Sequence, residues 1–230
     1  MAYDYLELLN KKKMTLIMSL PSNDPALARA AWANGADVVK VHINVQHRAS
    51  KNLFGSFAQE QEGLTRILAE AKGPCGLVAG GDLESALHDY EAAVKAGFSF
   101  ISLYVRHMPS QILRCPSVYK MAALDPGYTL EEAEDLARIG ADVLEASVMQ
   151  PDTYGDPLSA KEFLQYCAIC RHTVLPVVVP TQRHVTAADI PILHRCGVKG
   201  LMMGAVVSGK TEESVAASVA AFRAAIDALG

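Results

Sequence analysis

Four helix-like stretches of this chain each end at a glycine, and an apolar, strand-like run follows at once. The four glycines are Gly35, Gly97, Gly140 and Gly197. Glycine adopts the left-handed conformation that closes a helix without a steric penalty, so each junction predicts a helix followed directly by a strand. The chain between successive junctions has room for one further strand and helix. We therefore predict an α/β fold, a single (β/α)8 TIM barrel of parallel strands over residues 1–230.

Composition narrows the class of partner. Half of the 230 residues are hydrophobic and a fifth are charged, which suits one domain with a large core. The formal net charge is −4 at pH 7, and without a basic surplus we expect no nucleic-acid partner. No apolar run approaches the roughly 20 residues that span a bilayer, so we expect no membrane partner either.

The cysteines bear on the compartment. Five cysteines without framework spacing predict reduced thiols and a cytoplasmic location. Cys167 and Cys170 form a CxxC within a helical pattern, and no second CxxC completes a zinc site. We interpret them as packed helix thiols rather than as metal ligands or a redox pair. Met- and Ala-rich helices and the single Trp32 offer apolar surface for a homo-oligomer, which we expect to be a dimer.

Periodicity and turn residues place the elements along the chain. Predicted strands cover residues 15–20, 37–44, 75–79, 98–105, 118–124, 142–148, 174–179 and 200–203. Predicted helices cover residues 25–34, 57–72, 83–96, 109–116, 130–139, 160–170, 187–196 and 212–229. A long polar loop at residues 45–56 follows the second strand and is a candidate lid over the barrel mouth.

Alternation along the strands predicts which side chains enter the barrel. On the second strand Lys40, His42 and Asn44 share one face, opposite to apolar residues. Polar residues there are unusual, because barrel interiors are filled by branched apolar side chains. The same alternation points further polar residues inward: Ser102 and Tyr104 on the fourth strand, Lys120 on the fifth and Glu145 on the sixth.

These inward groups predict acid–base chemistry. A desolvated lysine becomes a base or a Schiff-base nucleophile, and a nearby glutamate transfers protons. We therefore predict catalytic roles for Lys40, Glu145, His42 and Lys120. Residues around them are predicted to bind substrate: Asn44, Arg48, Ser102, Tyr104 and Asp125. The alternative is a structural lysine–glutamate pair that braces the barrel, since buried charges must pair.

The end of the last strand predicts a phosphate site. A glycine there lets backbone N–H groups approach an anion, and a short helical turn follows. The loop after the seventh strand has no glycine, so side chains such as Arg183 would have to substitute. The predicted phosphate ligands are Thr181, Gln182, Gly204, Ala205, Ser208 and Gly209. The alternative is a tight turn that needs glycine only for packing.

Residues 129–142, the stretch from Val185 to Gly197, and Gly204-Ala205 together carry a resemblance. They resemble the bacterial N-acetylmannosamine-6-phosphate 2-epimerase family, and more broadly the chain is similar to the ribulose-phosphate-binding barrel group. The resemblance implies a barrel with a phosphorylated ligand. The catalytic lysine of that family ends the third strand, where this chain has Gly80 and Gly81. Any catalytic lysine here is therefore expected to be Lys40 or Lys120.

The predicted function is an isomerase or epimerase acting on a small phosphorylated sugar or sugar acid by Lys/Glu proton transfer. The first alternative is a class I aldolase or lyase that forms a Schiff base. The second is a barrel that binds an anion without turnover. We predict no cofactor and no metal, although a metal-dependent reaction through Asp82, His42 or Asp125 stays open.

Overall fold

The computed structural model describes residues 4–230, and within them eight parallel strands close into a barrel. Two further short strands bring the total within these residues to ten: β1 (Thr15–Ser19), β2 (Val38–His42), β3 (Val45–Gln46), β4 (Leu53–Phe54), β5 (Cys75–Val78), β6 (Phe100–Tyr104), β7 (Tyr119–Ala123), β8 (Val143–Glu145), β9 (Val177–Pro180) and β10 (Gly200–Met203). Around the barrel the order is β1-β10-β9-β8-β7-β6-β5-β2, while β3 and β4 pair as a separate antiparallel hairpin. The predicted (β/α)8 architecture is confirmed.

Helices alternate with the barrel strands and surround them. They are α1 (Tyr5–Lys11), α2 (Pro25–Ala33), α3 (Phe57–Ala69), α4 (Leu83–Ala96), α5 (Ser110–Leu113), α6 (Leu130–Asp135), α7 (Ala160–His172), α8 (Ile190–Arg195), α9 (Ala205–Ser208) and α10 (Glu212–Asp227). Their starts follow from side-chain caps, such as Asp24 before Pro25 and Thr129 with Glu132. From residue 4 onward, no helix combines the length and the apolar character needed to cross a bilayer.

The four helix-to-strand glycines behave as the sequence predicts. Gly35, Gly97, Gly140 and Gly197 have φ values of 100°, 96°, 97° and 96°. A side chain at these angles would be strained, so glycine ends each helix and turns the chain into the next strand.

The apolar core has two layers, one inside the barrel and one between the barrel and the helices. The inner layer consists of Ile17, Val38, Phe100, Met121, Val143, Val178 and Met202, with Tyr5 and Leu9 of α1. Helix α1 thereby closes the amino-terminal end of the barrel, where the ring of Tyr5 stacks on that of Phe100 with centroids 4.1 Å apart. The interior is solid at this end, which leaves the carboxyl end for a cavity.

Several elements differ from the predictions. Helix α1 and the β3–β4 hairpin were not predicted. Strand β8 ends at Glu145 because the N–H of Ser147 turns back to the Glu145 carbonyl, at 3.0 Å. Strand β9 begins at Val177 rather than at Val174, whose side chain is 88% exposed. Helix α5 is a single turn within the short helix predicted over residues 109–116, and α6 ends at Asp135 rather than at Ile139.

The prediction of reduced thiols is wrong for two cysteines. Cys167 on α7 forms a disulfide with Cys196 at the end of α8, because packing of these helices brings their Cα atoms to 4.5 Å. Cys170, the other member of the CxxC, is a free thiol.

Candidate active site

A cavity of about 250 Å³ opens at the carboxyl end of the barrel. All eight barrel strands contribute to its wall, through Ser19, His42, Val78, Ser102, Ala123, Glu145, Pro180 and Met202 among others. The hairpin residues from Val45 to Ala49 lie across one side of it. This is the end at which barrel enzymes place their reacting groups.

The centre of the cavity holds a buried ion pair. Lys40 on β2 and Glu145 on β8 lie on strands that face each other across the ring, and Lys40 Nζ is 3.5 Å from Glu145 Oε2. Their side chains are 6% and 7% exposed. The hydroxyls of Ser102 and Ser147 donate to the two carboxylate oxygens, at 2.9 and 2.7 Å. Both oxygens of the carboxylate therefore accept a hydrogen bond while the ammonium compensates its charge.

Two histidines line the wall beside Lys40. His42 Nε2 lies 3.4 Å from the hydroxyl of Ser19 on β1, and its Nδ1 is buried without a hydrogen-bond partner. The ring of His47, from the hairpin, lies 4.4 Å from that of His42. Burial lowers the pKa of His42 well below its ordinary value, and burial together with Lys40 lowers the pKa of His47 to about 4. Both imidazoles are therefore neutral at pH 7.

The neutral His47 predicts a pH-dependent stability. Its pKa falls from 6.5 in the unfolded chain to about 4 in the folded one. Between these values the unfolded chain binds a proton that the folded chain does not bind, so the free energy of unfolding should fall as the pH drops through this window. Urea titrations from pH 7 to 4.5 should show a weaker fall for His47→Gln than for the wild type. The exposed His184→Gln serves as control, and an unchanged pH slope in His47→Gln would contradict the assignment.

Strands β9 and β10 end in a set of hydrogen-bond donors. The hydroxyl oxygen of Thr181 accepts from the Gly204 N–H at 2.9 Å, which leaves its own proton free to donate. Gln182 accepts from the Met149 N–H at 3.1 Å and donates to the hydroxyl of Tyr154. Of the predicted phosphate ligands, Thr181, Gln182 and Gly204 line the cavity.

The remaining predicted phosphate residues lie behind this edge. Ala205, Ser208 and Gly209 do not line the cavity, and the Ser208 hydroxyl is turned to the Gly204 and Gly209 carbonyls. The first turn of α9 nevertheless begins at Ala205, whose N–H has no intrahelical partner. A backbone contribution from Ala205 is compatible with this geometry, whereas one from the Ser208 side chain is not.

Some of the residues predicted to bind substrate line the cavity and others do not. Ser102, Tyr104 and Arg48 line the cavity. Burial raises the pKa of Tyr104, so its phenol keeps its proton and serves as a donor. Asp125 lies outside the lining, where its carboxylate pairs with Arg106.

The predicted inward orientation of Lys120 is wrong. Met121 faces the barrel interior, so Lys120 faces the helices, where its Nζ lies 2.8 Å from the Asp142 carboxylate. This pair lies at the amino-terminal ends of β7 and β8, away from the cavity. Because both faces of β7 carry apolar residues, alternation alone did not distinguish them.

Asn44 and Arg183 also point away from the cavity. Strand β2 ends at His42, and Asn44 adopts a φ of 52°, which turns its amide toward Asp89 on α4 at 2.8 Å. The alternation of side chains between the two faces therefore stops at the end of the strand and does not extend to Asn44, two residues later. Arg183 is paired with the carboxylates of Asp156 and Glu162, at 3.0 and 3.2 Å.

Sequence reasoning missed Ser19 and Arg106, which both line the site. Ser19 shares the inward face of β1 with Thr15 and Ile17, and extending the alternation argument to that strand would have found it. Arg106 follows β6 and lies with its guanidinium 5.0 Å over the ring of Tyr104. Its position after a strand end was the available signal.

No protein-family model matches the chain, and no curated protein matches it. Solved structures share its fold. Tryptophan synthase of Mycobacterium tuberculosis superimposes with a TM-score of 0.76 at 14% identity, covering 99% of this chain and 100% of that one. A native KDPGal structure superimposes with a TM-score of 0.67 at 20% identity, covering 94% of this chain and 96% of that one. Thiamine phosphate pyrophosphorylase of Pyrococcus furiosus superimposes with a TM-score of 0.64 at 16% identity, covering 94% of this chain and 96% of that one.

At these identities the likeness concerns the fold alone. None of the three is an N-acetylmannosamine-6-phosphate 2-epimerase, so the resemblance to that family stays a prediction. The comparisons thus establish that this chain has the (β/α)8 barrel architecture shared by those proteins.

Proposed function

We propose that this protein is an isomerase or epimerase that moves a proton on a small phosphorylated sugar or sugar acid. The observation that carries the proposal is the buried pair of Lys40 and Glu145, 3.5 Å apart in the cavity at the barrel mouth. Two groups that exchange a proton at this distance supply a base and an acid at adjacent positions.

The proposed chemistry begins with transfer of one proton from the Lys40 ammonium to Glu145. The resulting amine removes a proton from a hydroxyl-bearing substrate carbon next to a carbonyl. In an isomerisation, Glu145 then delivers its proton to the former carbonyl carbon while the hydroxyl proton passes to the former carbonyl oxygen. In an epimerisation, Glu145 returns its proton to the same carbon from the opposite face. Both groups return to their starting charge. Neutral His42 donates a hydrogen bond to the carbonyl oxygen, where negative charge develops.

The shape and donors of the cavity favour a small phosphorylated substrate. Its volume of about 250 Å³ lies below the roughly 300–1,000 Å³ of pockets that hold drug-sized ligands. The Thr181 hydroxyl and the backbone N–H of Ala205 offer donors to a phosphate. One of the structures with the same fold is named for a phosphate compound, thiamine phosphate.

Proton exchange with solvent tests this function. Incubating the wild type with a panel of aldose and ketose phosphates and phosphorylated sugar acids in D2O should replace a carbon-bound proton by deuterium in at least one compound, visible by proton NMR. Glu145→Gln should slow the exchange by about 10²–10⁴-fold, because the acid–base partner is lost. Glu62→Gln, an exposed change of the same kind, should leave it unchanged.

A Schiff-base lyase is the second candidate, since Lys40 is the lysine among the residues that line the cavity. Borohydride added during incubation with each compound would trap such an intermediate, and mass spectrometry would locate it on Lys40. A trapped adduct would contradict the proton-shuttle mechanism. Binding without exchange or adduct would contradict both and favour a non-catalytic barrel.

A further inference from the structure

The charges around the cavity are unequal. Three cations line it, Lys40, Arg48 and Arg106, against one carboxylate, Glu145. The histidines add no charge at pH 7, because burial lowers the pKa of His42, His47 and His107. The lining residues therefore carry two positive charges in excess, and Asp125 just outside the lining offsets one of them, which leaves one cation for an acidic group of the ligand.

Only one of these cations lacks an acidic partner. Lys40 is paired with Glu145, and Arg106 is paired with Asp125 just outside the lining. Within residues 4–230, no carboxylate oxygen lies within 4 Å of the Arg48 guanidinium. Arg48 instead lies 5.9 Å over the ring of Tyr154, on the opposite side of the mouth. A contact with an aromatic face uses none of the five guanidinium N–H donors in a hydrogen bond, so they are available to a planar anion.

The loop that carries Arg48 is fixed in place. The His47 N–H donates to the Asn52 carbonyl at 2.8 Å, which closes the hairpin loop. The Asn52 amide donates to the Pro21 carbonyl at 2.7 Å, and Lys210 donates to the Ser50 carbonyl. The loop backbone that carries Arg48 is therefore held beside the cavity by contacts to two separate parts of the barrel rim, so binding need not order this backbone.

Tyr154 has a donor available as well. Its hydroxyl oxygen accepts from the Gln182 amide, so its proton is free to bond to a ligand. Since Gln182 is fixed by the Met149 N–H, the position of the phenol is set. The roof of the cavity thus presents a guanidinium and a phenol, both as donors.

From this arrangement we propose that Arg48 and Tyr154 bind a carboxylate of the substrate, at a place separate from the phosphate edge at Thr181 and Gly204. The inference rests on the proposed function and narrows its substrate class to phosphorylated sugar acids, with two anionic ends. Neutral-ended sugar phosphates would leave the Arg48 guanidinium without a partner.

Two probes that differ in the carboxylate test the proposal, 3-phosphoglycerate and glycerol 3-phosphate. Calorimetric titration at constant ionic strength should show that the wild type binds 3-phosphoglycerate about 10-fold or more tightly than glycerol 3-phosphate, given the usual strength of hydrogen bonds to charged groups. Arg48→Gln should remove this preference and leave the affinity for glycerol 3-phosphate within about twofold. Arg66→Gln, which removes an exposed charge on α3, should retain the preference.

A second variant separates this proposal from the phosphate site. Thr181→Val should weaken both probes by a similar factor and keep their ratio. If Arg48→Gln weakens both probes equally, Arg48 binds the phosphate and the carboxylate assignment is overturned while the phosphate site stands. If the wild type binds both probes equally, the carboxylate site is also overturned. If it binds neither, both sites fail.

Discussion

Lys40→Met is expected to abolish turnover and to lower the free energy of unfolding by about 3–5 kcal/mol, the usual cost of removing one partner of a buried ion pair. The substitution leaves the buried Glu145 carboxylate without its cation. Ser102 and Ser147 still donate to it, but neither supplies a positive charge. Chemical denaturation followed by circular dichroism measures the stability, and the deuterium exchange assay measures turnover.

A double variant separates charge from packing in this result. Lys40→Met combined with Glu145→Gln removes both charges, so it should recover most of the stability lost by Lys40→Met while staying inactive. Lys161→Met, at an exposed position of α7, should change neither quantity. A Lys40→Met variant with wild-type stability would show that the pair is not buried as described, and retained exchange activity would remove Lys40 from the mechanism.

Tyr5→Ala, as a single substitution, is expected to lower the free energy of unfolding by about 3–5 kcal/mol, because it deletes a buried aromatic ring. Tyr5 is fully buried, stacks on Phe100 and donates its hydroxyl to the Met121 sulfur at 3.5 Å. Its removal would open a cavity at the closed end of the barrel, against the Phe100 ring. The measurement is the midpoint of thermal and urea unfolding.

Tyr5→Phe is the matched control for this prediction. It keeps the ring and loses only the weak bond to sulfur, so it should cost about 1 kcal/mol or less. Equal losses for Tyr5→Ala and Tyr5→Phe would mean that the hydroxyl, not ring packing, closes the barrel. No loss for Tyr5→Ala would mean that α1 does not contribute to the folded barrel.

Much of the architecture was predictable from local signals. Each of the four glycines has a positive φ, a conformation that few other residues adopt, so a glycine at the end of a helical pattern predicts the turn into the next strand. The meeting of Lys40 and Glu145 was predictable for a different reason. Strand alternation fixes which face a residue occupies, and a closed ring brings all inward faces together.

The failures have equally specific causes. Lys120 lies on a strand whose two faces are both apolar, so alternation gave no contrast, and its partner Asp142 became apparent only from the packing. Asn44 lies two residues beyond the end of β2, where the backbone has left the extended region. Helix α1 has no counterpart in the repeated strand–helix pattern. This helix closes the amino-terminal end of the barrel, and whether space is left there depends on the packing of the whole ring rather than on any local sequence pattern.

The ion pair that crosses the barrel joins residues on opposite strands, and these strands belong to opposite halves of the chain. Lys40 precedes the short α5 region, and Glu145 follows it. A cut in the peptide between residues 114 and 118 would therefore yield two fragments with one member of the pair each. Neither fragment would hold the complete acid–base couple, so complementation by mixing them would report directly on correct reassembly of the ring.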